Sequence, residues 1–337
     1  MKPRAMIAIE GEAPVEAQHP ELHHYTNWGG LSGIWTSGVL YATRYDRLND
    51  RTEVEHLRQF FKNSLRDRFR PLFVAQKKTG GLKISAEMRR QGGVIQWSKT
   101  VADAFVDGLY KTTFDLSTPN GAFAIPFVTS FCTHEGDASY EKKNGLLSQW
   151  RGYGKDERYA IVFETNKLVE MLKNTEAHLF TSFMDVIYND ETFDFDKRHN
   201  ELLDSAIKYY QHRDEVPQEI SEKLFYSFAI AAARFKHRGF REEREVRIVA
   251  FVQTRKYIDL LYKKYGHHPP QSNVYKKIYN IGGIERILLF ETNDVKHLPI
   301  KRIIVGPHKH QKNLLAKVKD LTGGGTLVTQ SETPFIG

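Results

Sequence analysis

The chain has 337 residues, 40% hydrophobic and 27% charged, a composition that excludes a disordered chain and gives enough length for one large or two medium domains. Its single cysteine, Cys132, excludes intramolecular disulfides and Cys-rich zinc sites and points to a reducing compartment. The net charge is +8 and is unevenly spread: residues 62–90 hold nine Lys/Arg against two acids, and residues 301–319 hold six Lys/Arg and no acid.

Residues 1–20, with Pro14 and Pro20, read as a flexible arm without the apolar core of a signal peptide. From there to residue 337 the pattern predicts a single domain with helical insertions near 52–115 and 195–240. Leu22–Thr26 predicts a strand, and Asn27–Ser37 a helix capped by Asn27 and closed by Gly38. Residues 39–43 predict a second strand. Val54, Leu57, Phe60, Phe61, Leu65 and Phe69 recur at helical spacing through residues 52–70, and a further helical pattern over 84–110 is broken at Gly80-Gly81 and Gly92-Gly93.

Residues 127–132, 159–163 and 184–188 predict strands, with a helix over 167–173 that Asn166 caps. Two longer helices are expected at 195–212 and 217–237. Strands at 244–252, 285–290 and 301–305, a helix at 309–321 and a strand near 326–330 complete the chain. Helices and short strands intersperse without strict alternation, which predicts an α+β fold with a mostly antiparallel sheet.

Four segments carry candidate chemistry. Arg241 to Val249 places Glu243, Glu245 and Arg247 two residues apart, so in a strand they project together while Val246 and Ile248 enter the core. Such a cluster is either a solvated charge run or a functional site. His24-Tyr25-Thr26 ends a strand with groups that hydrogen-bond hydroxyls or stack on rings, although by itself a half-buried structural histidine explains it better. Asn49-Asp50-Arg51-Thr52-Glu53 is a good helix start with Asp50 as cap. Trp150-Arg151-Gly152-Tyr153 sets two aromatic residues three apart beside a guanidinium, as a core pair or as part of a ligand site. No P-loop, HExxH or GxSxG motif is present, and the scattered histidines have no metal-site spacing. The basic segments suit nucleic acid or simply a soluble basic surface.

Taken in order, His24-Tyr25-Thr26, Asn49-Asp50 with Glu53, Ser130-Phe131, Trp150 with Tyr153-Gly154, Glu243/Glu245/Arg247 and Ile300 through Gly306-Pro307 resemble an uncharacterised bacterial family of toxins and anti-phage defence proteins. More distantly, the same order resembles ADP-ribosyltransferases. That resemblance implies an ADP-ribosyltransferase-like core and NAD as substrate without a metal. It implies that Glu245 stabilises the developing charge on the ribose while Glu243 activates the acceptor. His24 and Thr26 would hold a ribose, Ser130 would fill the second conserved position, and Tyr25, Tyr41 or Tyr153 would stack on nicotinamide. Arg51 or Arg151 would bind pyrophosphate, with Trp150 beside them. Thr129-Ser130-Phe131 only approximates the Ser-Thr-Ser motif of those enzymes. The expected protein is cytoplasmic, without membrane attachment, with RNA or single-stranded DNA as acceptor and an antitoxin as a further partner. The competing expectations are an NAD glycohydrolase and a non-catalytic nucleic-acid or partner-binding module on the same scaffold.

Overall fold

A computed structural model describes residues 12–48, 53–79, 81–114, 124–134, 139–152, 157–173, 180–189, 193–253, 263, 277–290 and 298–334. The segment 1–11 of the expected arm lies outside them, as do Asn49, Asp50, Arg51 and Tyr153.

Along the chain the elements are α1 (Val15–Gln18), β1 (Glu21–Thr26), α2 (Trp28–Ser37), β2 (Tyr41–Arg44), α3 (Glu53–Thr79), α4 (Gly81–Arg90), α5 (Gly93–Phe114) and β3 (Ala124–Cys132). Next come α6 (Ser139–Asn144), α7 (Leu147–Gly152), β4 (Tyr159–Glu164), α8 (Thr165–Lys173), β5 (Phe180–Asp185), β6 (Ile187–Tyr188), α9 (Phe195–Arg198), α10 (Asn200–Gln211) and α11 (Gln218–Arg234). The last are β7 (Phe235–Lys236), β8 (Glu245–Gln253), β9 (Tyr279–Ile281), β10 (Ile284–Leu288), β11 (Ile300–Val305), α12 (Gln311–Thr322) and β12 (Leu327–Gln330). The α+β class with a mostly antiparallel sheet is what the structure has; β11–β12 is a parallel pair within it.

The chain divides into two compact units. The first comprises residues 1–47, 126–186 and 239–337, and the second residues 48–125 and 187–238. The helical stretches that the sequence predicts at 52–115 and 195–240 thus supply most of the second unit.

In the first unit the sheet runs β12-β11-β4-β1-β3-β2-β10-β9, and β8 joins β3 to β5. β4 reads Tyr-Ala-Ile-Val-Phe-Glu and is buried from Tyr159 to Phe163 because both of its faces are covered. β3 has three partners, and a strand has only two edges, so the sheet forks along it. β1 meets β3 at Cys132, whereas β2 meets it at Phe127 and Val128. α2 leaves β1 as expected: the Asn27 side chain accepts from the Gly30 amide at 3.0 Å, and Gly38 ends the helix at φ 63°.

The second unit is built on the α3–α5 hairpin with α10 and α11 packed against it. Leu57, Phe61, Leu65, Phe69 and Phe73 form one fully buried stripe, four residues apart. The sequence pattern gives helical spacing over residues 52–70. The helix continues through Pro71 to Thr79. Proline removes one helical hydrogen bond, but the stripe carries on through Phe73, which stacks on Phe69 at 5.4 Å. Phe228 of α11 closes this core against Tyr110 at 4.9 Å, Phe114 at 5.5 Å and Phe61 at 6.1 Å.

Phe228→Ala removes a fully buried ring at the centre of that cluster. The expected loss is about 3–5 kcal/mol, read from the urea midpoint of the second unit. A shift below about 1 kcal/mol would contradict the packing described.

Candidate functional site

The acid-rich segment before β8 departs from the sequence expectation. Arg238–Glu243 form a 3-10 helix, and the strand begins only at Glu245. Arg244, between them, has φ 43°, a left-handed conformation that costs a non-glycine residue about 1 kcal/mol or more. Glu243 therefore does not share a strand face with Glu245, and the expected row of three charges is reduced to Glu245 and Arg247.

These two are buried together. The Arg247 guanidinium donates from Nε to Glu245 Oε1 at 2.7 Å and from Nη2 to Oε2 at 3.0 Å. The pairing is bidentate, which fixes the carboxylate in angle as well as distance. Burial leaves Glu245 5% and Arg247 2% exposed.

The register around Glu245 follows from one carbonyl. Arg244 O accepts from the Thr133 amide at 3.0 Å and from Thr133 Oγ1 at 3.1 Å. β3 ends where β8 begins, so strands paired from that point run antiparallel, and the bond sets Cys132 opposite Glu245 and Ser130 opposite Arg247. The Phe131–Phe183 ring contact at 6.4 Å agrees with this register. Cys132 in turn lies opposite His23 of β1. Glu245, Arg247, Ser130, Cys132, His23 and Tyr25 thus occupy one face of the sheet.

On that face β1 contributes a buried polar network. Tyr25 Oη accepts from the Leu146 amide at 2.7 Å and lies 2.6 Å from His134 Nε2. With the amide as donor, the tyrosine proton is assigned to the bond with Nε2, which leaves the His134 proton on Nδ1. His23 stacks on His134 with centroids 4.4 Å apart, and its Nε2 lies 3.3 Å from the Lys142 carbonyl. That carbonyl also accepts from Arg302 Nη2 at 3.0 Å. Arg302 and Lys301 both pair with buried Glu21.

Burial governs the titration of these groups. Desolvation pushes His134 down to about 4, aided by the charge of Arg244. It holds His23 well below the usual histidine range, aided by His134 and Arg302. It lifts the Tyr25 phenol well above its ordinary value. For Glu21 burial acts upward, but the bonds and charges of Lys301 and Arg302 outweigh it and hold the carboxyl low.

The other residues singled out in the sequence scatter. His24 and Thr26 alternate with Tyr25 and face the opposite side of the sheet. His24 Nδ1 lies 3.0 Å from the Ser130 carbonyl, so its ring caps a backbone group past the last β1–β3 pairing. Desolvation lowers its pKa. Thr26 Oγ1 lies against Gly30, where an added Cβ would sit 1.9 Å away.

Tyr41 sits on β2, edge-on to Tyr279 at 6.2 Å, and its carbonyl accepts from Thr129 Oγ1. Trp150 is a core residue: it is 1% exposed, edge-on to Tyr25 at 4.8 Å, and its indole donates to Asn144 O at 3.0 Å. Gly145 beside it has φ 76°, and a Cβ there would meet the indole at 2.3 Å. Arg151 is exposed at the end of α7.

His23, His134, Glu21 and Arg302 are the parts of this network that the motifs did not reveal. Only the strand alternation that pairs His23 with Tyr25 pointed to any of them.

Among the described residues no group of three or more His, Cys, Asp or Glu is placed to hold a metal ion, and no helix is long and apolar enough to cross a membrane.

Residues 149–248 match a family described as a protein of unknown function, DUF2971. The match begins at the Gln149-Trp150 pair of α7 and ends at Ile248, so it holds Glu243, Glu245 and Arg247. No curated protein and no solved structure matches the chain.

Two tests address the buried charges. Arg247→Met strips buried Glu245 of its bidentate guanidinium, an expected loss of about 3–5 kcal/mol by denaturant titration; an unchanged midpoint would show that the pair is solvated. The pH test concerns His134, whose folded value near 4 lies below the unfolded value of 6.5. The unfolded chain therefore binds more protons between those limits. His134's contribution is complete above pH 6.5 and is lost as pH falls towards 4. His134→Gln should flatten part of that acid slope, and an unaltered slope would refute the assignment.

Proposed function

We propose that the first unit is an NAD-dependent ADP-ribosyltransferase of a bacterial toxin or anti-phage defence system, with Glu245 as its reacting-centre carboxylate and nucleic acid, RNA or single-stranded DNA, as acceptor. The observation that carries this reading is the preparation of Glu245. A strained residue precedes it, a bidentate guanidinium orients it, and it lies in the segment of the chain that matches a family. Strain and an oriented buried charge are features that structures retain at functional sites.

The chemistry requires a carboxylate at a fixed place. Cleavage of the nicotinamide–ribose bond builds positive charge on the ribose, and a carboxylate bonded to the 2′-hydroxyl stabilises it. A carboxylate has about four lone-pair sites, and Arg247 takes two, so that pairing does not by itself exhaust Glu245. Ser130 shares the face of Glu245 and lies opposite Arg247, which suits it to a substrate hydroxyl. His24 and Thr26 face away from Glu245, so this reading no longer uses them as ribose ligands. Glu243, outside the strand, is kept as the group nearest in sequence that can activate an acceptor.

The burial of the Glu245–Arg247 pair also favours a second reading. In that reading the scaffold is non-catalytic, and the pair only fixes the start of β8.

One comparison separates the readings. Purified protein is incubated with NAD labelled on adenine, with RNA, denatured DNA or cell lysate. Glu245→Gln keeps an acceptor for Arg247, so the fold should persist while turnover falls by about 10²-fold or more. Label on nucleic acid with wild type alone supports transfer. Nicotinamide release without macromolecular label indicates a glycohydrolase. Equal turnover by the variant would remove Glu245 from the chemistry, and NAD left intact by wild type in every mixture, lysate included, would favour the non-catalytic scaffold.

A further inference from the structure

Both basic segments are only partly neutralised once folded, Lys309, Lys312 and Lys319 of residues 301–319 being exposed without an ion pair among the described residues. In residues 301–319, Lys301 and Arg302 are bound to Glu21, and Lys317 to Glu157. In residues 62–90 three cations are also engaged: Lys62 with Asp107, Arg68 with Asp196 and Asp204, and Arg90 with Glu87. Arg70, Lys77, Lys78 and Arg89 have no ion pair among the described residues, and all four are exposed.

These four cations gather at one corner of the second unit. Arg70, Lys77 and Lys78 lie within the exposed run along the C-terminal half of α3, together with Val74. Ser85 of α4 ties that end down by donating its hydroxyl to the Lys77 carbonyl at 3.1 Å. Arg89 Nε donates to the Ser85 carbonyl at 3.3 Å, which brings the fourth cation to the same place. Phe73 contacts Trp97 at 6.3 Å, so the start of α5, with exposed Ile95, borders the patch.

A simpler role exists for cations in the last turn of a helix, which interact with the half negative charge of its C-terminus. Each of α3 and α4 carries two cations in its last turn. Two full charges against about half of one leave the end of α3 strongly positive, and at the end of α4, where Glu87 offsets Arg90, Arg89 still outweighs the dipole. Asp67, one turn before Arg70, is the exposed acid among the described side chains of the same helix. The helix dipole therefore does not account for the patch.

We infer that this α3–α4 corner is a docking surface for the phosphodiester backbone of a nucleic acid. Exposed cations held on rigid helices without acidic partners match a line of phosphates, whose binding is driven by counterion release. An anionic bilayer fits less well. Interfacial helices bury a broad apolar face, and here Phe73 and the neighbouring stripe point into the core, while among the described side chains of this corner the exposed large apolar groups are Val74 and Ile95. The inference deepens the acceptor part of the proposed function and rests on it only there, because docking needs no NAD chemistry.

The test uses full-length protein and fluorescein-labelled single-stranded RNA, single-stranded DNA and duplex DNA, read by anisotropy across a salt series. Wild type should bind with a log–log salt slope near −3 for a single strand, from about 0.7 per phosphate over the four cations. Lys77→Glu with Lys78→Glu should weaken binding at least about tenfold and make the slope shallower by about 1.4, with unchanged circular dichroism and melting. Glu245→Gln should bind like wild type. No binding by wild type, charge reversal without effect, or equal binding to vesicles of anionic lipid but not to nucleic acid would each overturn the surface. Nicotinamide release measured on the charge-reversal variant separates the two proposals: if it persists while RNA binding is lost, docking and catalysis are distinct, and if wild type docks RNA but never consumes NAD, the transferase reading fails alone.

Discussion

The geometry around Glu245 depends on the carbonyl of Arg244. Thr133 grips it with both its amide and its hydroxyl, at 3.0 and 3.1 Å. Two donors on one acceptor hold the peptide while the chain turns through a left-handed residue. Each bond contributes about 1 kcal/mol, which together offsets the strain of φ 43° at an arginine. The consequence is a strand that begins abruptly at Glu245, with its first side chain already on the face that carries Ser130 and Tyr25. The Val186 amide, donating to the Glu245 carbonyl at 2.9 Å, fixes the same residue from the β5 side.

That anchoring explains why charged groups survive in this part of the unit. Burying an ion costs several kcal/mol unless it is paired with good geometry. Glu245 has a bidentate partner, and Glu21 has two cations. The histidines are handled differently: burial disfavours the charged form of His23 and His134, and for His23 the stacked His134 ring adds to that. Their Nδ1 atoms nevertheless have no hydrogen-bond partner in the structure, as does Nδ2 of the nearby Asn144. Buried polar atoms of this kind are commonly satisfied by ordered water.

Much of the fold was legible because its signals are local. Asn27 and Gly38 bound α2 at both ends, and the unbroken apolar run Tyr159–Phe163 marks a central strand. Long-range effects were not legible. The helical spacing is legible only as far as residue 70, and the burial of Phe73 against Tyr210, far along the chain, supports α3 on to Thr79. The charge run before β8 reads as one continuous strand. The left turn at Arg244 comes from Thr133, which is 111 residues away and carries no motif. The same holds for the site: Glu245 and Arg247 were visible as a pair, but their burial was not. His24-Tyr25-Thr26 was visible as a trio although strand alternation divides it between two faces.

That division bears on how sequence resemblance translates into chemistry. A motif of adjacent residues on a strand cannot deliver all its side chains to one ligand, since neighbours point to opposite faces. On the face of Glu245, β1 presents Glu21, His23 and Tyr25, and two of these are consumed by contacts with Arg302 and His134. On the other face His24 closes the gap at Ser130. The histidine that the resemblance singles out thus acts on the backbone of the strand that carries Ser130. If Ser130 contacts substrate, His24 works through it as a positioning group. Replacing the ring would then disturb Ser130 first and Glu245 only through the β3–β8 ladder. The order of those disturbances is a consequence of strand pairing, and it holds whether the scaffold transfers ADP-ribose or only binds.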